Sequence, residues 1–257
     1  MAKKKKSNIG WKIFIGLGIG CMVAILGVVI YEWWQARRAK FVKYDAFGIE
    51  IPTNYNIHGI DVSKYQDRID WESVKGMKVE DVQISFAFIK ATEGNNNRDI
   101  YFKRNWKQSK EAMLARGAYH FFVASRSGKT QAENFIKCVD LEPGDLPPVL
   151  DVEQTNGVSG DKLRQRVKEW LLTVENHYGI KPIIYTNVDF YKYYLKDEFD
   201  SYPLWVAHYL QKEKPRIYRD WHFWQYSELG RVNGIYSKVD FNVFNGDSTE
   251  FRNLLIQ

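Results

Sequence analysis

Charge is missing from one stretch of this chain, and cysteine is missing from almost all of it. Residues 13–31 contain no Asp, Glu, Lys or Arg. The two cysteines are Cys21 and Cys138, and Cys21 falls inside that uncharged run. The rest of the chain therefore has a single thiol, which excludes an internal disulfide there and a cysteine metal cluster. No glycine-rich phosphate loop follows an early strand, which argues against a doubly wound nucleotide-binding fold. Basic charge is also scarcer than the net +6 suggests. Residues 1–43 hold nine Lys and Arg against Glu32, a net of +8, so residues 44–257 carry −2. The excess sits in the N-terminal segment, and no nucleic-acid partner is expected for the remainder.

The uncharged run reads as one transmembrane helix. Nineteen residues at 1.5 Å each reach about 28 Å, close to a bilayer core. Trp11 precedes the run, while Tyr31, Trp33 and Trp34 bracket its end, as aromatic belts do. A cleaved signal peptide would have a shorter apolar core and a small-residue cleavage site. Lys3, Lys4, Lys5 and Lys6 favour a cytoplasmic N-terminus, which puts the chain beyond residue 31 on the outer or periplasmic side. The expected organisation is a basic tail over residues 1–12, a transmembrane helix over 13–31, a juxtamembrane connector over 32–56 and a folded domain over 57–257.

Within that domain, strand-like and helix-like patterns alternate. Strands are expected at 57–62, 84–91, 118–123, 146–152, 182–186, 204–209, 223–226 and 239–243. Helices are expected at 71–74 (capped by Asp70), 100–115, 130–139 and 161–177 (ended by Gly179). Alternation argues for a parallel sheet, and about eight strands in roughly 200 residues argue for closure into a barrel. The later connections are short, so the fold class expected is α/β, an irregular TIM-like (β/α) barrel. The 9 Trp, 16 Tyr and 15 Phe permit sugar stacking, although aromatics also fill cores.

Acids then fall where such a barrel does chemistry, at the C-terminal ends of strands. Asp61 closes the first strand. Asp151 and Glu153 close the apolar run 146–150, and period-2 alternation puts them on one face. Asp240 lies on the last strand. Each acid alone could be a cap or turn residue. Together, paired carboxylates held apart in pKa suit glycosidic bond cleavage.

These residues belong to a longer ordered set. It includes Gly59-Ile60-Asp61-Val62-Ser63 with Tyr65-Gln66, and Phe88 to Gly94. Gly117-Ala118-Tyr119-His120-Phe121 and Pro148 to Glu153 come next. Ile184-Tyr185-Thr186, Trp205 to Tyr209, Trp224-Gln225-Tyr226 and Val239-Asp240-Phe241-Asn242 complete it. In that order the set resembles glycoside hydrolase family 25, the Chalaropsis-type lysozymes, over about residues 57–246. The resemblance implies an irregular barrel with a groove for peptidoglycan glycan strands. It also implies hydrolysis, with retention, of the β-1,4 bond between N-acetylmuramic acid and N-acetylglucosamine. All four acidic positions of the family's site are occupied.

On that resemblance, Glu153 is the general acid and later the base, its pKa raised by nearby carboxylates and partial burial. Asp151 holds the 2-acetamido group, whose carbonyl attacks the anomeric carbon. Direct attack by Asp61 or Asp151 through a covalent intermediate is the rival scheme, and the spacing does not separate them. Asp61 and Asp240 tune charge and position. Tyr119, Tyr185 and Trp205 are candidates for the sugar-binding wall or for barrel core. His120 and His208 are expected to be hydrogen-bonded core residues, and no metal or cofactor is expected. Lys90 and Glu93 are expected to pair at a strand end unless Glu93 touches substrate. Two other readings stay open: a non-catalytic wall-binding module, and a hydrolase of chitin-like chains.

Overall fold

The computed structural model describes residues 9–36, 40–211 and 213–257. It divides into two compact units, residues 1–39 and residues 40–257. The basic-tail expectation lies largely outside the described residues.

The first unit is helix α1, Ile9–Ala36. Its described apolar side chains, Phe14, Leu17, Ile19, Met22, Val23 and Ile25 among them, are exposed. Among the described residues no helix is long and apolar enough to cross a membrane, so the transmembrane helix expected over residues 13–31 is not supported.

The second unit is a closed α/β barrel. Its chain order begins with a hairpin, β1 (Phe41–Tyr44) and β2 (Ile49–Pro52). Then come β3 (His58–Val62), α2 (Trp71–Gly76), β4 (Lys78–Val79) and β5 (Val82–Glu93). β6 (Asn97–Arg98), α3 (Phe102–Glu111), β7 (Ala115–Phe121) and α4 (Gly128–Ile136) come after them. Next are β8 (Val149–Asp151), α5 (Gly160–Tyr178), β9 (Ile183–Asn187) and the short α6 (Val188–Phe190). β10 (Leu204–Ala207), β11 (Phe223–Gly230), β12 (Val239–Phe244) and α7 (Ser248–Leu254) end the chain.

Eight strands close the barrel in the order β3-β12-β11-β10-β9-β8-β7-β5, and β5 pairs back with β3. Among these eight, every neighbouring pair from β3 through β11 in chain order is parallel. β12 departs from the expected all-parallel sheet: it is antiparallel to both β11 and β3. Only residues 231–238 join β11 to β12. That is too short for a helical crossover, so the chain turns back as a hairpin. The reversal brings the N-terminal end of β12 to the rim where the other strands have their C-terminal ends.

Local chemistry explains the helices. Asp70 caps α2, accepting from the Ser73 N–H at 3.3 Å. Gly179 ends α5 at φ +71°, a left-handed cap that costs glycine nothing. Leu163, Val167, Trp170, Leu171 and Val174 form the buried face of α5.

The barrel interior is aromatic. Phe86, Phe88, Trp205 and Phe223 are buried within one cluster. Phe88 stacks on Trp205 with ring centroids 4.3 Å apart. Two glycines make room. A Cβ on Gly59 would lie 2.4 Å from the Phe86 ring, and one on Gly117 would lie 2.6 Å from Phe88. Part of the stretch expected to be connector is built into this unit: Phe47, fully buried between β1 and β2, meets Phe241 edge-on at 5.5 Å.

Candidate active site

β3 ends at Asp61 and Val62, and β12 begins at Val239 and Asp240. Because the two strands run antiparallel, Asp61 and Asp240 stand directly opposite each other. Two amides hold this pair. Gln225 Nε2 donates to Asp61 Oδ2 at 2.8 Å and to Asp240 Oδ2 at 3.2 Å. Asn242 Nδ2 donates to Asp61 Oδ2 at 2.8 Å. Gln225 Oε1 in turn accepts from the hydroxyls of Tyr185, at 2.7 Å, and Tyr209. Asn242 Oδ1 accepts from Trp205 Nε1 at 2.8 Å. The amide orientations are thereby fixed from both ends, and the two carboxylates with them.

Burial pushes Asp61 up from the ordinary carboxyl range, while the N–H groups of Asn242 and Gln225 oppose the rise. Burial pushes Asp240 up further, and the neighbouring Asp61 charge adds to it. Both carboxyls of the pair are thus raised, Asp240 more than Asp61, because Asp61 is better supplied with donors.

The second pair sits across the mouth. β8 stops at Asp151, so Glu153 lies in the loop after it rather than on the strand. The extended path is kept by two backbone bonds, Phe122 N–H to Asp151 O and Val152 N–H to Tyr185 O, both 2.9 Å. Asp151 is 5% exposed. Its Oδ1 is buried and has no hydrogen-bond partner among the described residues. Burial drives Asp151 well above the ordinary range, the charge of Glu153 adds to this, and Lys90 opposes it.

All seven residues expected from the sequence line one open cavity of about 480 Å3: Asp61, Tyr119, Asp151, Glu153, Tyr185, Trp205 and Asp240. They do not all face it equally. Trp205 is 2% exposed and is held by Phe88 and Asn242, so it serves as barrel core that floors the cavity. Tyr119 is half-buried and Tyr185 almost fully buried.

Residues at and behind the cavity wall have roles that the sequence did not reveal. Gln225 and Asn242 lie inside the Trp224-Gln225-Tyr226 and Val239 to Asn242 motifs, but only the register of β11, β12 and β3 shows what their amides hold. Lys90 reaches the cavity while paired with Glu93 at 2.7 Å, and its ammonium lies 4.7 Å from the Phe121 ring centre. His120 is a core residue: its ring nitrogens meet Thr92 Oγ1 at 2.7 Å and Gln131 Oε1 at 3.2 Å, and burial lowers it to about 3. His208 is half-buried, and its Nδ1 accepts from the Arg216 N–H at 3.2 Å.

Paired carboxylates at an open mouth, one pair braced and the other with an unsatisfied oxygen, can protonate a leaving oxygen and steady a polar group beside it. Known proteins carry the same arrangement of sequence and fold. Residues 60–235 match the model for Glycosyl hydrolases family 25. The chain is 50% identical over 249 residues to uncharacterized protein YegX of Escherichia coli strain K12, covering 93% of this chain and 92% of that protein. It is 34% identical over 207 residues to Lysozyme M1 of Streptomyces globisporus, covering 75% and 69%. Among solved structures, a family 25 glycosyl hydrolase from Bacillus anthracis superposes with a TM-score of 0.71 at 33% identity. That match covers 84% of this chain and all of the other.

Proposed function

The chain belongs to glycosyl hydrolases family 25 and is a glycoside hydrolase of the muramidase class, and from that premise we propose how it acts and on what. The substrate is peptidoglycan. The bond cleaved is the β-1,4 link between N-acetylmuramic acid and N-acetylglucosamine, with retention. The observation that carries this reading is the convergence of Asp61, Asp151, Glu153 and Asp240 on one open cavity.

Glu153, at the cavity edge and half-buried, protonates the leaving oxygen and then takes a proton from water. Asp151 receives the N–H of the 2-acetamido group on its unpartnered oxygen, which supports attack by the acetamido carbonyl. This substrate assistance is favoured over a covalent enzyme intermediate because a buried carboxylate oxygen without a partner is costly until a donor arrives. Asp61 and Asp240, braced by Gln225, set the field at the anomeric centre. Tyr119 and Tyr185 flank the sugar.

Placement forms the second part of the proposal. The domain works on the outer or periplasmic side, its N-terminus cytoplasmic, and remodels wall close to the membrane. The support lies in the sequence, in the uncharged residues 13–31 behind Lys3 to Lys6. Alkaline washing of membranes tests it: release of the full chain into the supernatant removes the tether.

For the chemistry, the full chain is incubated with purified peptidoglycan and the new reducing ends are identified. Muramic acid reducing ends are expected. Turnover of an all-glucosamine polymer at equal rate would move the substrate to chitin-like chains. Binding without turnover would make this a wall-binding module.

A further inference from the structure

We propose that a cationic cleft beside the acid site binds the carboxylate-bearing peptide stem of the strand being cut. This rests on the peptidoglycan reading above and extends it to substrate choice. The cleft has a volume of about 730 Å3, and its charged lining is Arg68, Arg104, Arg231, Lys238 and Asp70. Four cations thus face one acid, in a chain whose residues 44–257 carry a net −2. That acid is already engaged: Asp70 accepts from Ser73 Oγ at 2.6 Å and from the Ser73 N–H at 3.3 Å. Among the described residues none of the four cations forms an ion pair. Asp70 offsets part of the Arg104 charge, and the remaining excess of positive charge raises the local concentration of anions.

The cleft and the acid site share their walls. The loop after β3 gives Ser63, Tyr65 and Gln66 to the acid site and Arg68 to the cleft. The loop between β11 and β12 lines the cleft, and its last residue, Lys238, lines both. The two loops are clasped, Asp70 N–H to Gly234 O and Gln66 Nε2 to Lys238 O, each at 3.0 Å. Gly234 has φ +86°, and a Cβ there would lie 2.3 Å from the Asp70 carbonyl oxygen. The approach is open only to glycine, so the cleft is pre-shaped. Arg104 is fixed too, donating to Ile69 O at 2.9 Å.

Guanidinium forks match carboxylates in two-point hydrogen bonds. Phosphate polymers would satisfy the same charge. The peptide is favoured because it is covalently tied to the muramic acid held next door, so its effective concentration at the cleft is high.

The test uses two soluble ligands, a muramic acid disaccharide with its carboxylated stem and the same disaccharide without peptide. The full chain should bind the first about tenfold more tightly, with the advantage shrinking as salt rises. In the Arg68→Gln, Arg231→Gln double variant, checked for folding by circular dichroism, the advantage should nearly vanish. Equal binding of the two ligands by the unaltered chain overturns the proposal, as does a folded double variant that keeps the advantage. Inorganic phosphate displacing the ligand where free stem peptide does not would also overturn it. Hydrolysis is measured in parallel: its absence beside a retained stem advantage removes the muramidase reading and leaves the cleft standing.

Discussion

Two carboxylate pairs face each other across the barrel mouth, and they are built differently. Asp61 and Asp240 are opposite partners in a strand ladder, with three amide N–H contacts between them. Asp151 and Glu153 sit at and beyond a strand end, and one Asp151 oxygen is buried without a partner. The first pair has its hydrogen bonds supplied by the protein. The second leaves bonding capacity for something else. The difference is one of hydrogen-bond supply, and it underlies the proposed division of labour: a buried acceptor without a donor is expensive, and a site tolerates that expense where a ligand relieves it.

The comparison breaks most sharply at Glu153. Glu153→Gln removes the transferable proton and little else. Release of muramic acid reducing ends should fall by about 10²–10⁴-fold. A rate within tenfold of the unaltered enzyme would place the acid elsewhere.

Asp151→Asn is expected to cost about 10²-fold in turnover, the scale of losing one preorganised polar contact to the reacting group. It should leave the melting temperature equal or higher, because the substitution removes a buried carboxyl whose ionisation the fold disfavours. Differential scanning calorimetry beside the rate assay checks both signs. A large loss of stability would mean that Asp151 is scaffold, and the contrast between the pairs would collapse.

On the braced side, Gln225→Leu removes one of the two amide donors to Asp61, the donor to Asp240 and the acceptor for Tyr185 and Tyr209. Destabilisation of about 1–3 kcal/mol is expected from the orphaned groups. Because those N–H groups hold Asp61 down, Asp61 rises further, and the acid arm of the pH–rate profile shifts to higher pH. A shift to lower pH would contradict the bracing role.

The smallest effect is on stability against pH. Asp61, Asp151 and Asp240 all have folded values above their unfolded ones. In such groups the folded state binds more protons, so stability is greatest below the unfolded carboxyl value, near 4, and declines as pH rises from there through the raised values. Asp240→Asn should flatten that decline by a few degrees of melting temperature between about pH 5 and pH 8. An unchanged slope would mean that Asp240 is charged in the folded state.

Much of this was legible in the residues. Asp70 as a cap and Gly179 as a helix stop are local chemistry, and both stand in the structure. The strand rhythm gave the barrel because each strand buries a face whatever its neighbour. Other features depend on contacts far apart in sequence. Residues 41–52 turn locally at Asp45 to Gly48, but only their packing onto β12 through Phe47 shows that they belong to the barrel unit. Glu153 was expected on the strand by alternation, yet pairing stops at Asp151.

The sequence by itself determined the family, the eight strands and the four acids, because residue type and order carry them. Only the tertiary structure decided that β12 runs backwards, and so which end of it carries Asp240 to the mouth. It alone decided that Gln225 and Asn242 brace Asp61, 164 and 181 positions away. The physical reason is that hydrogen bonds and desolvation act over a few ångströms of space, whatever the distance along the chain.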